Sequence, residues 1–227
     1  MQQIGTLRTV QVGVPQGYGT AGAANPMERP WTTSFFRVPS EQPRWLYATH
    51  LEGNEQADKK HHGQPSQAVL LYAAEHYPFW RAELGRQEMG PGGFGENFTV
   101  DELSEKTACV GDIYALGEAR IQVTGPRYPC WKIAVRWGIE ELNLRVAEVG
   151  RTGWYCRVLQ EGMVESGMPI MLVERSYPRW TIALVNDFGH GRNEDVETAQ
   201  DLATCPVLHE FWQELVVKSA RKVSAKE

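Results

Sequence analysis

Short alternating stretches dominate the first three quarters of this chain. Thr9-Val10-Gln11-Val12-Gly13-Val14, Ala119-Arg120-Ile121-Gln122-Val123 and Trp154-Tyr155-Cys156-Arg157-Val158-Leu159 set an apolar side chain at every second position. That is the period of a half-buried strand. Thr33 to Val38, Ala68 to Tyr72, Asp112 to Leu116 and Ile170 to Val173 are further strand candidates, and Gly and Pro punctuate the intervals. Many short strands at irregular spacing predict a mainly β fold whose sheet curls into a barrel.

Two regions carry a helical period instead. Val69, Tyr72, Ala73, Tyr77, Trp80 and Leu84 would suit one long helix, but Pro78 opposes it. An interior proline removes a hydrogen bond and crowds the preceding turn. The better reading is a strand through Tyr72 and then a helix with Pro78 in its first turn. After Pro178, Trp180, Ala183, Leu184, Asp187 and Phe188 follow a helical period. Asn193 is the expected cap of a second helix, and Pro206 the expected start of a third. The expected organisation is therefore a β-rich domain over residues 1–178 with a three-helix extension over 179–227, fraying at its polar tail from Lys218.

Composition narrows the function classes. The 227 residues are 42% hydrophobic and 22% charged, with a formal net charge of −5. An acidic chain without a basic cluster is not expected to bind nucleic acid. No apolar run reaches membrane-spanning length, and Met1 to Gly5 lacks the charged and apolar regions of a secretory signal. The expectation is a cytoplasmic protein with reduced thiols. Cys109, Cys130, Cys156 and Cys205 form no C-x-x-C pair, so neither iron–sulfur nor structural zinc is expected.

Five segments carry candidate chemistry. Gly17-Tyr18-Gly19-Thr20-Ala21-Gly22 matches a dinucleotide-binding fingerprint, but Pro26 and Pro30 follow at once. No crossover helix can form there, so a hairpin or loop is expected and no nicotinamide site. Asp58-Lys59-Lys60-His61-His62-Gly63 is the densest cationic run. It reads either as a solvated loop or as an anion site of cations and exposed backbone N–H groups. Pro91-Gly92-Gly93-Phe94-Gly95-Glu96-Asn97-Phe98 reads either as a hairpin loop or as a place where backbone approaches a ligand. In the second case Asn97 supplies directed hydrogen bonds and Glu96 a carboxylate. Gly150-Arg151-Thr152-Gly153 resembles a small anion-binding turn.

The most unusual segment is Gly125-Pro126-Arg127-Tyr128-Pro129-Cys130-Trp131. Two fixed proline φ angles stiffen a turn that presents Cys130 beside the cation Arg127. A nearby cation favours thiolate, the form that attacks or ligates metal. A buried, inert thiol is the competing reading, and Cys109 and Cys156 fit it well.

Taken together, these segments resemble the MOSC family, named after the C-terminal part of molybdenum cofactor sulfurases, and within it the YiiM-type bacterial branch. The resemblance rests on Leu51 to Asp58, His62-Gly63, Glu75-His76-Tyr77, Gly93 to Asn97, Val110-Gly111-Asp112, Gln122 to Cys130 and Gly153-Trp154-Tyr155, in order over roughly residues 8 to 175. It implies a MOSC-type β-barrel that binds molybdenum cofactor (molybdopterin), with Cys130 as the thiolate ligand of molybdenum. A soft thiolate complements the dithiolene sulfurs that the metal already carries. The chain departs from the family where Gln64 follows His62-Gly63 and at Gln67, a position where a basic residue is common.

The resemblance further implies reduction of small N-hydroxylated compounds, including base analogues, hydroxylamines and amidoximes. Cys130, Asn97 and Glu96 are then the catalytic candidates. Cys130, Arg127, Lys60, His62, Gly63, Phe94, Gly95, Asn97 and Arg151 are the cofactor-binding candidates. No motif for flavin, nicotinamide or an iron–sulfur cluster is present, so a separate electron-donating reductase is the expected partner. The alternatives are a persulfide carrier using Cys130, or storage and delivery of the cofactor without turnover. The helical extension could dock the redox partner, pair two chains as a homodimer, or simply pack.

Overall fold

A computed structural model of the chain describes residues 1–55, 57 and 64–224. Among these residues the elements run in chain order as follows. Strands β1 (Gln2–Val12), β2 (Gln16–Tyr18), β3 (Trp31–Thr33), β4 (Val38–Pro39), β5 (Arg44–Leu46) and β6 (Val69–Ala73) lead into helix α1 (His76–Leu84). Then come β7 (Phe98–Asp101), β8 (Ile113–Leu116), β9 (Ala119–Pro126), α2 (Lys132–Trp137) and α3 (Leu142–Val149). Strands β10 (Trp154–Gln160), β11 (Gly162–Val164) and β12 (Pro169–Glu174) precede α4 (Ile182–Gly189), α5 (Val196–Ala203) and α6 (Glu210–Ser224).

Seven strands close into a barrel in the order β12, β8, β9, β10, β6, β7, β1, with β1 returning to β12. One strand can serve two neighbours because β1 is long and bent. Its first half pairs with β12 and its second with β7, and the register shifts between Gln3 and Gly5 and between Leu7 and Thr9. Such bulges bend a strand and let a sheet curl. The β6–β7 pair is parallel, and β6 is buried throughout. Its run Val-Leu-Leu-Tyr-Ala is the continuous apolar stretch expected of a strand covered on both faces. The mainly β barrel expected from the alternating stretches is thus the architecture found.

The expected hairpin at Gly17 is the antiparallel β2–β3 pair. The stretch from Thr33 to Val38, read as one strand, is broken. It leaves β3 at Thr33, bends through residues 34–37 and resumes pairing against β1 at Val38. Helices α2 and α3 were not legible in the pattern. Their apolar side chains Ile133, Ala134, Leu142 and Val146 join Tyr72, Trp80 and Phe94 in a second core beside the barrel.

Three helices follow β12, with starts displaced from those expected. Thr181 caps α4 by accepting from the Leu184 N–H at 3.2 Å. Asp195, not Asn193, caps α5 by accepting from the Thr198 N–H at 3.0 Å. Pro206 lies in the turn before α6. These helices share one core with the barrel, where Phe188, Leu202 and Trp212 pack in the same cluster as Val123 and Trp154. Trp212 also donates from Nε1 to the Pro126 carbonyl at 2.7 Å, which seats α6 against the end of β9.

Candidate active site

Strand β9 delivers the Cys130 turn. Gly125 takes φ +146°, and a Cβ there would press on Leu208 and Trp212 at 3.2 Å. The Arg127 N–H donates to the Gly153 carbonyl at 3.0 Å, tying the turn to the start of β10. Pro129 is buried, Cys130 is half-buried, and α2 starts two residues later.

Arg127 is only 3% exposed. Its Nη1 donates to the Phe94 carbonyl at 2.8 Å, and its Nη2 stands 4.0 Å from Cys130 Sγ. The sequence therefore brings the expected cation to the thiol, and the glycine-rich loop to both. That loop is organised from beneath by Glu96, which is fully buried. Its carboxylate accepts from the Gly92 N–H at 2.7 Å, the Phe94 N–H at 3.2 Å, the Thr99 hydroxyl at 2.8 Å and the Tyr77 hydroxyl.

Asn97 follows on the same loop and is 2% exposed. Its Oδ1 accepts from the Leu70 N–H at 3.1 Å, whereas its Nδ2 has no partner among the described residues. Asn97, Arg127 and Cys130 line one cleft together with Arg37, Lys132 and Tyr155. The cleft encloses about 660 Å³, counting its open mouth. Arg37, Arg127 and Lys132 make it cationic, and no carboxylate lines it among the described residues.

Arg37 is the feature that sequence reading missed. The bend after β3 turns it inward, and the α2 residue Arg136 braces that bend by donating to the Phe35 carbonyl at 3.0 Å. Arg37 Nε and Nη1 are sealed from solvent with no partner among the described residues. Burial pushes its guanidinium down to about 10, which still leaves it charged at neutral pH. Burial pushes the Tyr155 phenol up, with Arg127 opposing, so Tyr155 presents a neutral hydroxyl to the cleft.

Other expected site residues stand elsewhere. Glu96 does not reach the cleft, because four donors consume it inside the loop. Phe94 is buried and stacks on Tyr72 at 4.7 Å, so it offers the site its carbonyl and not its ring. Gly95 lines the cleft as expected, and a Cβ there would meet the Phe35 ring at 2.6 Å. Arg151 points away, donating to His76 Nδ1 at 2.9 Å and lying over the Phe79 ring at 4.0 Å. It lines a separate cleft with His76 and Glu105. Lys60, His62 and Gly63 lie outside the described residues.

The chain is thus a closed β-barrel domain that presents one half-buried cysteine in a cationic cleft. The MOSC domain model matches residues 58–171. The chain is 37% identical to the uncharacterized protein YflK of Bacillus subtilis, over 82% of this chain and 84% of that one. It is 33% identical to a protein of Gibberella moniliformis named "Reductase", over 79% of this chain but only 32% of that one. The crystal structure of YiiM from Geobacillus stearothermophilus superposes with a TM-score of 0.77 at 30% identity, covering 95% of this chain and 99% of that one. The chain belongs to the MOSC domain family, in its YiiM-type branch. That family is associated with molybdenum cofactor. No helix among the described residues is long and apolar enough to cross a membrane.

Proposed function

We propose that the protein is a molybdenum-cofactor-dependent reductase of small N-hydroxylated compounds. The observation that carries this reading is the cleft itself, where the Cys130 sulfur stands 4.0 Å from the buried Arg127 and shares the cleft with Arg37, Lys132 and unpartnered N–H donors. Those residues fit the cofactor in chemistry. One protein thiolate suits a metal that arrives with its own sulfur ligands. The cationic, donor-rich remainder suits its anionic and pterin parts. When bound, the cofactor supplies two-electron removal of oxygen from an N–OH group, and with two protons the products are amine or amidine and water.

The chain's own residues hold and orient. Cys130 supplies the thiolate, and Arg127 keeps its turn fixed to the glycine-rich loop. Asn97 Nδ2 is free to donate into the cleft. Tyr155 keeps its proton and offers a neutral hydroxyl. Lys60, His62 and Gly63 enter through the family resemblance as further cofactor contacts. Electrons come from a separate reductase in this reading. The Gibberella relative's name is consistent with redox chemistry, although the chain spans about a third of that protein.

The test is turnover with a chemical electron donor. Protein from a host that makes the cofactor is offered an amidoxime, a hydroxylamine and a hydroxylaminopurine. Stoichiometric amine or amidine formation supports the reading. Bound molybdenum with no turnover of any of the three overturns it in favour of storage or delivery. A persulfide on Cys130 without metal overturns it in favour of sulfur transfer.

A further inference from the structure

Glu105 is a carboxylate only 3% exposed, and the proposed chemistry does not use it. It lies outside the Cys130 cleft, where α1, the start of β10 and α4 meet. Its Oε2 stands 2.6 Å from His76 Nε2, and its Oε1 accepts from the Gly153 N–H at 2.7 Å. Its main-chain carbonyl accepts from the Ala183 N–H at 2.7 Å. Behind it, Arg151 Nη1 stands 2.9 Å from His76 Nδ1. A guanidinium can only donate, so His76 Nδ1 accepts and the ring proton sits on Nε2. That proton is donated to Glu105. Arg151, His76 and Glu105 therefore form a one-way line of hydrogen bonds, and its carboxylate end holds Gly153.

Gly153 is where this line meets the Cys130 turn. It takes φ +73°, and a Cβ there would strike the Leu71 carbonyl, so the corner needs glycine. Its carbonyl accepts from the Arg127 N–H at 3.0 Å and from the Thr152 hydroxyl at 2.9 Å. Asn186 on α4 supports that hydroxyl in turn, donating from Nδ2 at 2.9 Å. One glycine thus has Glu105 on its N–H and the Cys130 turn on its carbonyl. A carboxylate holds an N–H more firmly than a neutral acceptor does.

We propose that Glu105 is a positioning residue for Cys130. Backed by His76 and Arg151, it fixes Gly153, and through Gly153 the Arg127 main chain three residues before the thiol. The inference rests on the proposed function for its consequence, since there the Cys130 turn holds the metal.

The test follows amide exchange, residue by residue by NMR, in the full cofactor-free chain. Molybdenum retention is measured on protein from a host that makes the cofactor. Glu105→Gln can offer Gly153 its oxygen only by turning its amide nitrogen onto the His76 Nε2 proton, donor against donor. The ring cannot move that proton to Nδ1 while Arg151 donates there. The Arg127 amide is expected to exchange about tenfold faster than in wild type, the local opening that one lost hydrogen bond allows. Ile121 and Val123 on β9 are expected to keep their wild-type rates. Molybdenum is expected to bind about tenfold more weakly. Arg151→Met frees Nδ1, on the ring that lines the separate cleft, to carry the proton. The double variant Glu105→Gln/Arg151→Met is therefore expected to recover slow Arg127 exchange and molybdenum binding. If Glu105→Gln does not fold, Glu105→Asp, too short to span both partners, is read in the same way.

Unchanged Arg127 exchange in Glu105→Gln overturns the inference. So does equal acceleration at Arg127, Ile121 and Val123, which marks lost global stability instead of lost positioning. A double variant worse than Glu105→Gln alone overturns the hydrogen-bond line behind Glu105. Amide exchange does not depend on turnover. A wild type without N-hydroxyl reduction whose Glu105→Gln variant still releases Arg127 sinks the reductase reading alone. An active wild type whose Glu105→Gln variant keeps Arg127 protected sinks the positioning role alone.

Discussion

The Arg127 guanidinium bridges two loops, with one nitrogen on the Phe94 carbonyl at 2.8 Å and the other 4.0 Å from the Cys130 sulfur. A planar fork can serve both ends at once, and a lysine ammonium cannot. Arg127→Lys is expected to stay folded yet bind molybdenum about tenfold more weakly, the scale seen when a group supporting a metal ligand is lost. Arg127→Ala additionally leaves the Phe94 carbonyl unpaired and is expected to cost about 1–3 kcal/mol in urea unfolding. Equal molybdenum affinity in Arg127→Lys and wild type would show that the bridge does not position Cys130.

Glu96 anchors the glycine-rich loop. In Glu96→Gln an amide nitrogen faces donors that now meet a carboxylate, and the buried charge is gone. The expected loss is about 2–4 kcal/mol of stability. Thr99→Val removes one donor to Glu96 and the hydroxyl partner of the buried Gln11 amide, and is expected to cost about 1–3 kcal/mol. Denaturant midpoints check both. A Glu96→Gln protein as stable as wild type but catalytically dead would restore Glu96 as a catalytic candidate.

The four thiols separate by burial. Cys109, Cys156 and Cys205 are buried and Cys130 is half-buried. Burial pushes the Cys109 thiol up to about 11 and the Cys156 thiol up as well. At pH 8 a thiol with that value is about 0.1% thiolate. Iodoacetamide is expected to label native, cofactor-free protein once, at Cys130, and unfolded protein four times. Peptide mass spectrometry reads the sites. Early labelling of Cys109 or Cys156 would contradict the burial described.

The start of α6 carries a pH dependence. His209 Nδ1 accepts from the Phe211 N–H at 3.1 Å, and burial pulls the imidazole below its ordinary value. The folded state thus holds His209 neutral, while the unfolded chain takes up a proton near pH 6.5. The unfolded state binds more protons below that value, so stability falls as pH drops through and below 6.5. His190, also pulled down by burial, adds to the same slope. In His209→Asn, where the amide oxygen can still accept, the loss between pH 7 and pH 5 is expected to shrink. Stability measured across that range is the check, and an unchanged slope would remove His209 from the account.

Much of the fold was legible because the barrel strands obey a simple rule. Ala119, Ile121 and Val123 are all buried on β9, as their alternation with Arg120 and Gln122 predicts. Pro78 likewise separated β6 from α1 correctly. Helices α2 and α3 escaped because each is shorter than three turns and buries only a few apolar side chains. The site was legible where a local oddity marked it, as the proline-bracketed Cys130 did. Glu96 and Arg151 stand outside the cleft, a direction that residue type does not give. One turns into its own loop, and the other turns to His76. Arg37 left no local signal, since its meaning lies in partners it lacks after residues 34–37 bend inward.

The central claim is that Cys130 supplies the metal's protein ligand. The most direct measurement is molybdenum per chain, by elemental analysis, in wild type and Cys130→Ser purified in parallel from a host that makes the cofactor. The account predicts near-stoichiometric molybdenum in wild type and little in Cys130→Ser, with matching thermal unfolding of the two cofactor-free proteins. Full molybdenum in Cys130→Ser, with amidoxime reduction intact, would contradict it.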